Sequence, residues 1–367
     1  MGVNRNSYLS FSLYLLIMQT SMVTIGNRKI GPGYPPFIIA EIGGNFATSE
    51  EGKKFVDAAV TAGADAVKFQ TYRADTVASK KAMFDMPNVG KMPQWEYFRK
   101  TELSEDMHSK LFSYAAERGI MAFSSPSHES DVELLEKFNV PAYKIGSDDA
   151  VNVPFIEYVA KIGKPAILST GMCTLDDVEE SVKAFLATGN KQLVVLHCVA
   201  QYPTEPKDVN LRSMVTMQRE LEKYGVPVGW SDHTMGIDVS LAAAALGASA
   251  IEKHFTIDKT FPGADNMHSA DPEEMKNLVE WSRRIYAALG SPVKKPSEAE
   301  MRVNIRENRK SIVAEKNIPA GAAITRDMIA VKRPGTGILP RYFKELIGRR
   351  TKKNIETDDV VKWEDLE

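Results

Sequence analysis

Eight short apolar runs, each ending in polar or charged residues, constrain the fold of this chain more than any other feature. They cover residues 37–43, 66–70, 121–126, 142–147, 166–171, 193–198, 228–233 and 251–255. Amphipathic stretches follow them at 49–62, 104–118, 130–138, 153–162, 174–187, 211–224, 238–246 and 271–289, closed by Gly63, Gly119, Asn139, Gly163, Gly189, Gly225, Gly247 and Gly290. A strand apolar on both faces needs a helix to cover it, and strict alternation of the two builds a parallel sheet. Eight repeats predict a closed (β/α)8 TIM barrel, an α/β fold. The open doubly wound sheet lacks support, because no Gly-x-Gly-x-x-Gly follows the first strand.

The chain has 367 residues, enough for a barrel of about 250 residues and a second domain. The barrel is expected over 30–290. Residues 291–308 read as a linker with a polar helix, and 309–367 as a small domain of short strand-like pieces and turns. So small a domain has little core of its own and is expected to lean on the barrel or on another subunit. Residues 1–29 read as an N-terminal extension. Its apolar stretch at 8–18 stands behind Arg5 but is too short and interrupted to span a bilayer, and no small-x-small cleavage pattern follows, so an upstream extension, with Met22 a candidate start, is favoured over an export signal. One connection, 71–101, is long and rich in Met and aromatic residues. Such excursions are usually functional, so it is expected to be a lid or substrate wall.

A net charge of −2 gives no reason to expect nucleic acid or an anionic membrane as partner. Cys173 and Cys198 are the only cysteines, which fits a reducing, cytoplasmic location and argues against a disulfide framework.

In barrels of this kind chemistry sits where strands end. Here those ends hold Glu41, Lys68, Gln70, Ser125, Lys144, Ser147, Ser169, His197, Ser231, His233 and His254. Residues two apart on a strand share a face, so Glu252 pairs with His254, Ser231 with His233, and Lys68 with Gln70. Imidazoles from adjacent strands are natural ligands for a divalent ion with open positions: Mn2+, Mg2+ or Zn2+. Lys68 and Lys144 need an anion if buried, and the serine hydroxyls suit a phosphate or carboxylate. Glu41 is an acid in an apolar strand, suited to proton exchange or to holding a sugar hydroxyl; Asp148 and Asp149 fit either a chemical role or helix capping. Trp230 and Tyr202 read as packing or pocket walls. His108, His128 and His268 read as surface or capping residues.

Taken in order, several strings resemble the sialic acid synthase family, the enzymes that make N-acetylneuraminate and related nonulosonic acids. They are Ala40-Glu41-Ile42-Gly43, Ala64 to Thr71, Tyr143-Lys144-Ile145-Gly146-Ser147, Gly163-Lys164-Pro165 with Leu168 to Met172, Ser231-Asp232-His233-Thr234, Glu252 to Thr256, and Lys332-Arg333-Pro334-Gly335. The resemblance implies a TIM barrel followed by an antifreeze-like (SAF, β-clip) domain, and a homodimer that swaps its SAF domains. It implies condensation of phosphoenolpyruvate with an N-acylated mannose-type sugar, using a divalent metal, Mn2+ first. His233 and His254 would hold the metal. Lys68, Ser125, Lys144, Ser147, Ser169 and Ser231 would bind phosphoenolpyruvate, with Glu41 and Asp149 as catalytic acids. Gln70, Tyr202, Asp265 and Arg333, the last supplied across the dimer, would face the sugar. Phe46 and Ala200 stand where the family usually has histidine and asparagine, Asp149 where it has glutamate, and the 263–269 loop departs from the usual Gly-Pro-Asp pattern. These departures bear on the sugar, leaving N-acetylmannosamine or a diacetamido-trideoxyhexose that leads to legionaminic- or pseudaminic-type acids. Two rivals are a metal-dependent barrel hydrolase, which would not explain the two lysines, and an ice- or carbohydrate-binding module, which lacks a flat threonine array.

Overall fold

The computed structural model describes residues 22–86, 90–261 and 265–367. The expected extension up to residue 21 lies outside them. The chain divides into two compact units, Met1–Gly290 and Ser291–Glu367. In the first unit the strands are β1 (Val23–Ile25), β2 (Arg28–Ile30), β3 (Phe37–Glu41), β4 (Ala66–Thr71), β5 (Met83–Met86), β6 (Gly90–Pro93) and β7 (Met121–Pro126). They continue as β8 (Tyr143–Ile145), β9 (Ala166–Ser169), β10 (Leu193–Cys198), β11 (Val228–Asp232) and β12 (Ala250–His254).

Strands β3, β4 and β7 to β12 form the expected closed parallel barrel, each beside its neighbour in this sequence order. Closure pairs Lys253 of β12 with Ala40 and His254 with Glu41 of β3. Alternation along the strands sorts the core into two layers. One alternate set, including Ile38, Ala40, Val67, Phe69, Leu168 and Val195, packs with the helices. The other, including Phe37, Ile39, Phe123, Ile167, Val194 and Leu196, meets inside the barrel. Val23, Ile25 and Ile30 belong to this inner cluster. The antiparallel β1–β2 hairpin therefore fills the barrel floor, and residues 23–30 are part of the barrel rather than an extension.

Helix signals in the sequence have local physical causes. The helix Ser49–Ala62 opens with a capping box between Thr48 and Glu51 and ends at Gly63 in the left-handed region (φ 79°). The box satisfies otherwise orphaned N–H groups and contributes about 1 kcal/mol. Gly229 serves another need: a Cβ there would lie 2.2 Å from the Ala250 carbonyl oxygen, so the β11–β12 approach requires glycine.

The 71–101 excursion has its own order. The helix Ala74–Val77, the β5–β6 hairpin and the helix Gln94–Thr101 follow β4. Tyr72–Phe98, Phe84–Tyr97 and Phe84–Phe98 edge contacts, with centroids 5.1, 5.4 and 5.6 Å apart, make a small aromatic core.

In the second unit β13 (Ser311–Ala314) and β14 (Ile329–Lys332) pair antiparallel, and isolated bridges join Ile318 to Ile355 and Val313 to Val360. Ile312, Ile318, Ile324, Ile338, Leu346 and Val361 form its separate core. Among the described residues no helix is long and apolar enough to cross a membrane.

Candidate active site

Period-two alternation that makes the barrel floor apolar makes the strand ends polar on the same inner face. Beyond Ile39 comes Glu41, beyond Ala66 comes Lys68, beyond Phe123 comes Ser125, and beyond Ala250 come Glu252 and His254. Lys68 Nζ lies 2.5 Å from Glu41 Oε2 and 3.7 Å from Glu252 Oε1, and donates to Ser125 Oγ at 3.0 Å. Lys144 Nζ lies 3.8 Å from the same Glu252 oxygen and donates to the Ile145 carbonyl at 3.1 Å. Ser231 Oγ donates to Glu252 at 3.4 Å, and Gln70 Nε2 to Glu41 at 3.1 Å. All four charged groups are buried.

Burial opposes the charge on Lys68, but Glu252 and Glu41 outweigh it and hold the ammonium above its usual value. For Lys144 burial wins over Glu252 and pulls the amine below its usual range. Burial also resists ionisation of Glu252, where Lys144 and Lys68 prevail and lower it. Glu41 is raised, by burial first, against the pull of Lys68. Two ammonium groups thus stand over two carboxylates, one of which is biased toward holding a proton.

The imidazoles gather beside this cluster. His233 and His254 ring centroids lie 5.2 Å apart, and the Tyr202 ring sits 4.1 Å from His233 and 6.0 Å from His254. His233 Nδ1 is engaged by the Val199 carbonyl at 2.7 Å, and His254 Nδ1 faces Asp265 Oδ2 at 3.5 Å. A metal-ligating histidine typically presents its second nitrogen to a carbonyl in the way His233 does, which frees its Nε2 for an ion. Burial drives His254 well below the usual imidazole range, into the neutral state a ligand needs. The donor set therefore fits a divalent metal.

Outward-facing neighbours fix the β11 and β12 ends. Lys253 Nζ donates to the Thr234 carbonyl and lies 3.4 Å from Asp232 Oδ2; Asp232 also accepts from Thr234 N (2.8 Å) and from Ser240 Oγ. This buried clamp sets the turn that carries His233.

Several expected site residues take different places. Asp149 is not drawn into the cluster: its Oδ1 accepts from Asn152 Nδ2 at 2.8 Å, beside the start of the helix Val153–Lys161, and burial raises it to about 6. The acid whose charge reaches Lys68 and Tyr202 is Asp148. Ser147 Oγ accepts from Gly171 N at 2.9 Å, whereas Ser169 Oγ is buried with no hydrogen-bond partner among the described residues. Arg333 is exposed in the second unit. Phe46 packs on Phe55 and Phe69, with centroids 6.0 and 6.4 Å away. His197 faces outward and lies at 3.0 Å from the Val209 carbonyl. The sequence reading overlooked two residues. Glu252, paired there with His254 but given no role, is the hub of the charge cluster. His268, read as a surface or capping residue, is buried, with its ring centroid 5.2 Å from that of His254. Glu252 had a signal, an acid two residues before a histidine in an apolar strand; the His268 loop has no periodicity to read.

Ala200 lines a cavity of about 500 Å3 that also touches Cys198, Cys173 and Met217. Cys198 Sγ lies 3.8 Å from His233 Nδ1, so the cavity adjoins the site. The charge of Asp265 is felt by Tyr72 and Tyr97, which puts the 71–101 excursion along the same rim.

Known proteins share this architecture. The N,N'-diacetyllegionaminic acid synthase of Legionella pneumophila is 40% identical over 93% of this chain and 99% of its own length. The N-acetylneuraminate-9-phosphate synthase of Mus musculus is 38% identical over 93% of this chain and 95% of its own. The crystal structure of the N-acetylneuraminic acid (sialic acid) synthetase of Leptospira borgpetersenii in complex with citrate superposes with a TM-score of 0.69 at 32% identity, covering 77% of this chain and 94% of that one. The NeuB family matches residues 55–294, which carry all the barrel strands after β3, and the SAF domain matches 309–367. With lysine, serine and histidine side chains converging at one barrel mouth, the chain belongs to the NeuB family and ends in a SAF domain.

Proposed function

We propose that the protein condenses phosphoenolpyruvate with an N-acylated mannose-type sugar, giving a nine-carbon 2-keto-3-deoxy acid and phosphate. One observation carries this reading: two buried ammonium groups, Lys68 and Lys144, stand beside the His233–His254 pair at the same end of the barrel. An anion and an electrophile can thus be held side by side. The relatives named as legionaminic and N-acetylneuraminate-9-phosphate synthases support the same chemistry.

In this reading Lys68 and Lys144 neutralise the carboxylate and phosphate of phosphoenolpyruvate. The partnerless Ser169 hydroxyl donates to it, with Ser125, Ser147 and Ser231 around it. A divalent metal, Mn2+ first with Mg2+ or Zn2+ as alternatives, would be held by His233 and His254. When bound it supplies polarisation of the sugar aldehyde. Carbon 3 of phosphoenolpyruvate bonds to the aldehyde carbon, water adds at C2, and phosphate leaves by C–O cleavage. Glu41, buried and inclined to hold a proton, suits proton exchange with the new hydroxyl. Gln70, Tyr202 and Asp265 face the sugar. A homodimer in which Arg333 crosses between subunits belongs to the same proposal, as does a cytoplasmic setting that fits free Cys173 and Cys198.

Ala200 and its cavity favour a second choice of acceptor, a diacetamido-trideoxyhexose giving a legionaminic- or pseudaminic-type acid, since a small side chain there leaves room for a second acyl group. Phosphate release is measured with purified protein, Mn2+, phosphoenolpyruvate and a panel of N-acylated hexoses. Sugar-dependent release is expected. Its absence across the panel, with folded metal-loaded protein, would overturn the proposal.

A further inference from the structure

The loop after β12 carries an arrangement that the two-histidine reading leaves unexplained. The turn Asn266–His268 is a 3-10 helix, in which positions three apart eclipse one another, so Asp265 and His268 project to the same side. Both meet His254. Asp265 Oδ2 lies 3.5 Å from His254 Nδ1 and Asp265 Oδ1 lies 3.8 Å from His268 Nε2; one ligand atom from each of the three residues lies within 4.8 Å of the others. The approaches are too long for hydrogen bonds. They are close to the spacing of about 3.4 Å between donors that each stand about 2.1 Å from a tetrahedral ion.

Satisfaction of the ring nitrogens points the same way. His268 is 1% exposed, and neither of its nitrogens has a hydrogen-bond partner among the described residues; His254 Nδ1 is likewise buried and unpartnered. A neutral imidazole carries one donor and one acceptor, so a buried ring with neither used calls for a further partner. The loop is also held in place. Ser269 donates to the Asp265 carbonyl through N (3.1 Å) and Oγ (2.7 Å), Thr256 Oγ1 donates to Asn266 Oδ1 (2.6 Å), and Ala270 N donates to the His254 carbonyl (2.7 Å). The donors therefore converge through the backbone that carries them and not by chance contact of free side chains.

We propose that His254, Asp265 and His268 form a divalent-metal site of this chain, so that His268 is a metal ligand and His254 is shared with the His233 side. Two imidazoles and a carboxylate select Zn2+ or Co2+ more strongly than Mg2+, which prefers oxygen donors and retained water. The inference rests on the reading that the site works with a metal, and it sharpens which residues hold it.

Co2+ is the probe, because its visible spectrum reports ligand type and geometry without turnover. The apo full-length protein is titrated with Co2+ as wild type, His268→Gln, Asp265→Asn and, as a control on an exposed ring, His128→Gln. Wild type and His128→Gln should bind alike. His268→Gln should bind about 10- to 100-fold more weakly with an altered spectrum, a loss at least as large as that for removing an outer-sphere partner. Circular dichroism confirms that the variants are folded. X-ray absorption on Co2+-loaded wild type counts imidazoles without any substitution, and a count that includes His268 is expected. Wild-type affinity and spectrum in His268→Gln would overturn the inference and leave the proposed condensation standing. Failure of wild type to bind Co2+ at all would overturn the metal reading itself.

Discussion

Glu252 is the counter-ion shared by both buried lysines, and Glu252→Gln tests the charge logic of the site because it should move two quantities in opposite directions. Its Oε1 lies 3.7 Å from Lys68 Nζ and 3.8 Å from Lys144 Nζ. At an effective dielectric constant of about 20, each pair is worth about 4 kcal/mol of Coulomb attraction. Lys68 keeps Glu41 at 2.5 Å when Glu252 is neutralised, but Lys144 loses the one carboxylate within ion-pair distance among the described residues. Stranding one buried charge costs roughly 3–5 kcal/mol. Glutamine keeps the shape and an acceptor for Ser231, so a loss of about 3 kcal/mol is expected. For a unit of this size that is a drop of about 6–12 °C in the barrel's unfolding midpoint. The same change removes one negative charge from an anion pocket, so inorganic phosphate or phosphoenolpyruvate should restore more stability to the variant than it adds to wild type. Unfolding followed by circular dichroism, with and without saturating inorganic phosphate, reads both effects. A packing defect would lower the midpoint without enhancing the response to phosphate. An unchanged midpoint, or equal shifts by phosphate in both proteins, would refute the assignment of Lys68 and Lys144 as an anion site balanced by Glu252.

Three other outcomes are expected. His233→Ala and His254→Ala should each abolish sugar-dependent phosphate release while the circular dichroism spectrum stays native; full activity in either would remove it from the metal centre. Ala200→Asn places a larger polar side chain at the edge of the 500 Å3 cavity, so steady-state kinetics should show KM rising for diacetamido sugars more than for N-acetylmannosamine, and equal effects would place the acyl groups elsewhere. Burial pushes Asp131 up to about 6, against the Ser127 amide and His128. The folded chain therefore holds a proton that the unfolded chain, with a carboxyl near about 4, has released, and stability falls as pH rises across that window. Urea midpoints should accordingly show Asp131→Asn more stable than wild type above about pH 7 and equal to it near about pH 4. A constant offset at both values would mean the effect is not titration.

The residues of the site divide by how their positions are encoded. Glu41, Lys68, Ser125, Lys144 and His254 end up together because each lies an even number of steps from an apolar residue of the barrel floor, and a period of two is written in the sequence. Counting alone brings Lys68 and Lys144 to one face, and closure of β12 on β3 then sets His254 beside Glu41. Loop residues carry no such period. Asp149 occupies the expected place after Ser147 but is taken up by Asn152, and the 3-10 turn over Ser147–Asp149 decides which of two adjacent acids meets the site. In the sequence Phe46 reads only as a departure at the pocket, and its ring contacts with Phe55 and Phe69 give it a packing role that the departure does not announce. His268 depends on a bridge between Phe255 and Ala270, which returns its loop alongside the end of β12, a long-range pairing that no local pattern announces. On the proposed condensation, substrate choice rests on the loop residues, whereas the lysines that would bind phosphoenolpyruvate and His254 rest on the strands, with His233 one residue past the end of β11. Evolution of the acceptor can therefore proceed by changing loops such as 263–269 while the strand-borne charge cluster, locked by barrel register, stays fixed.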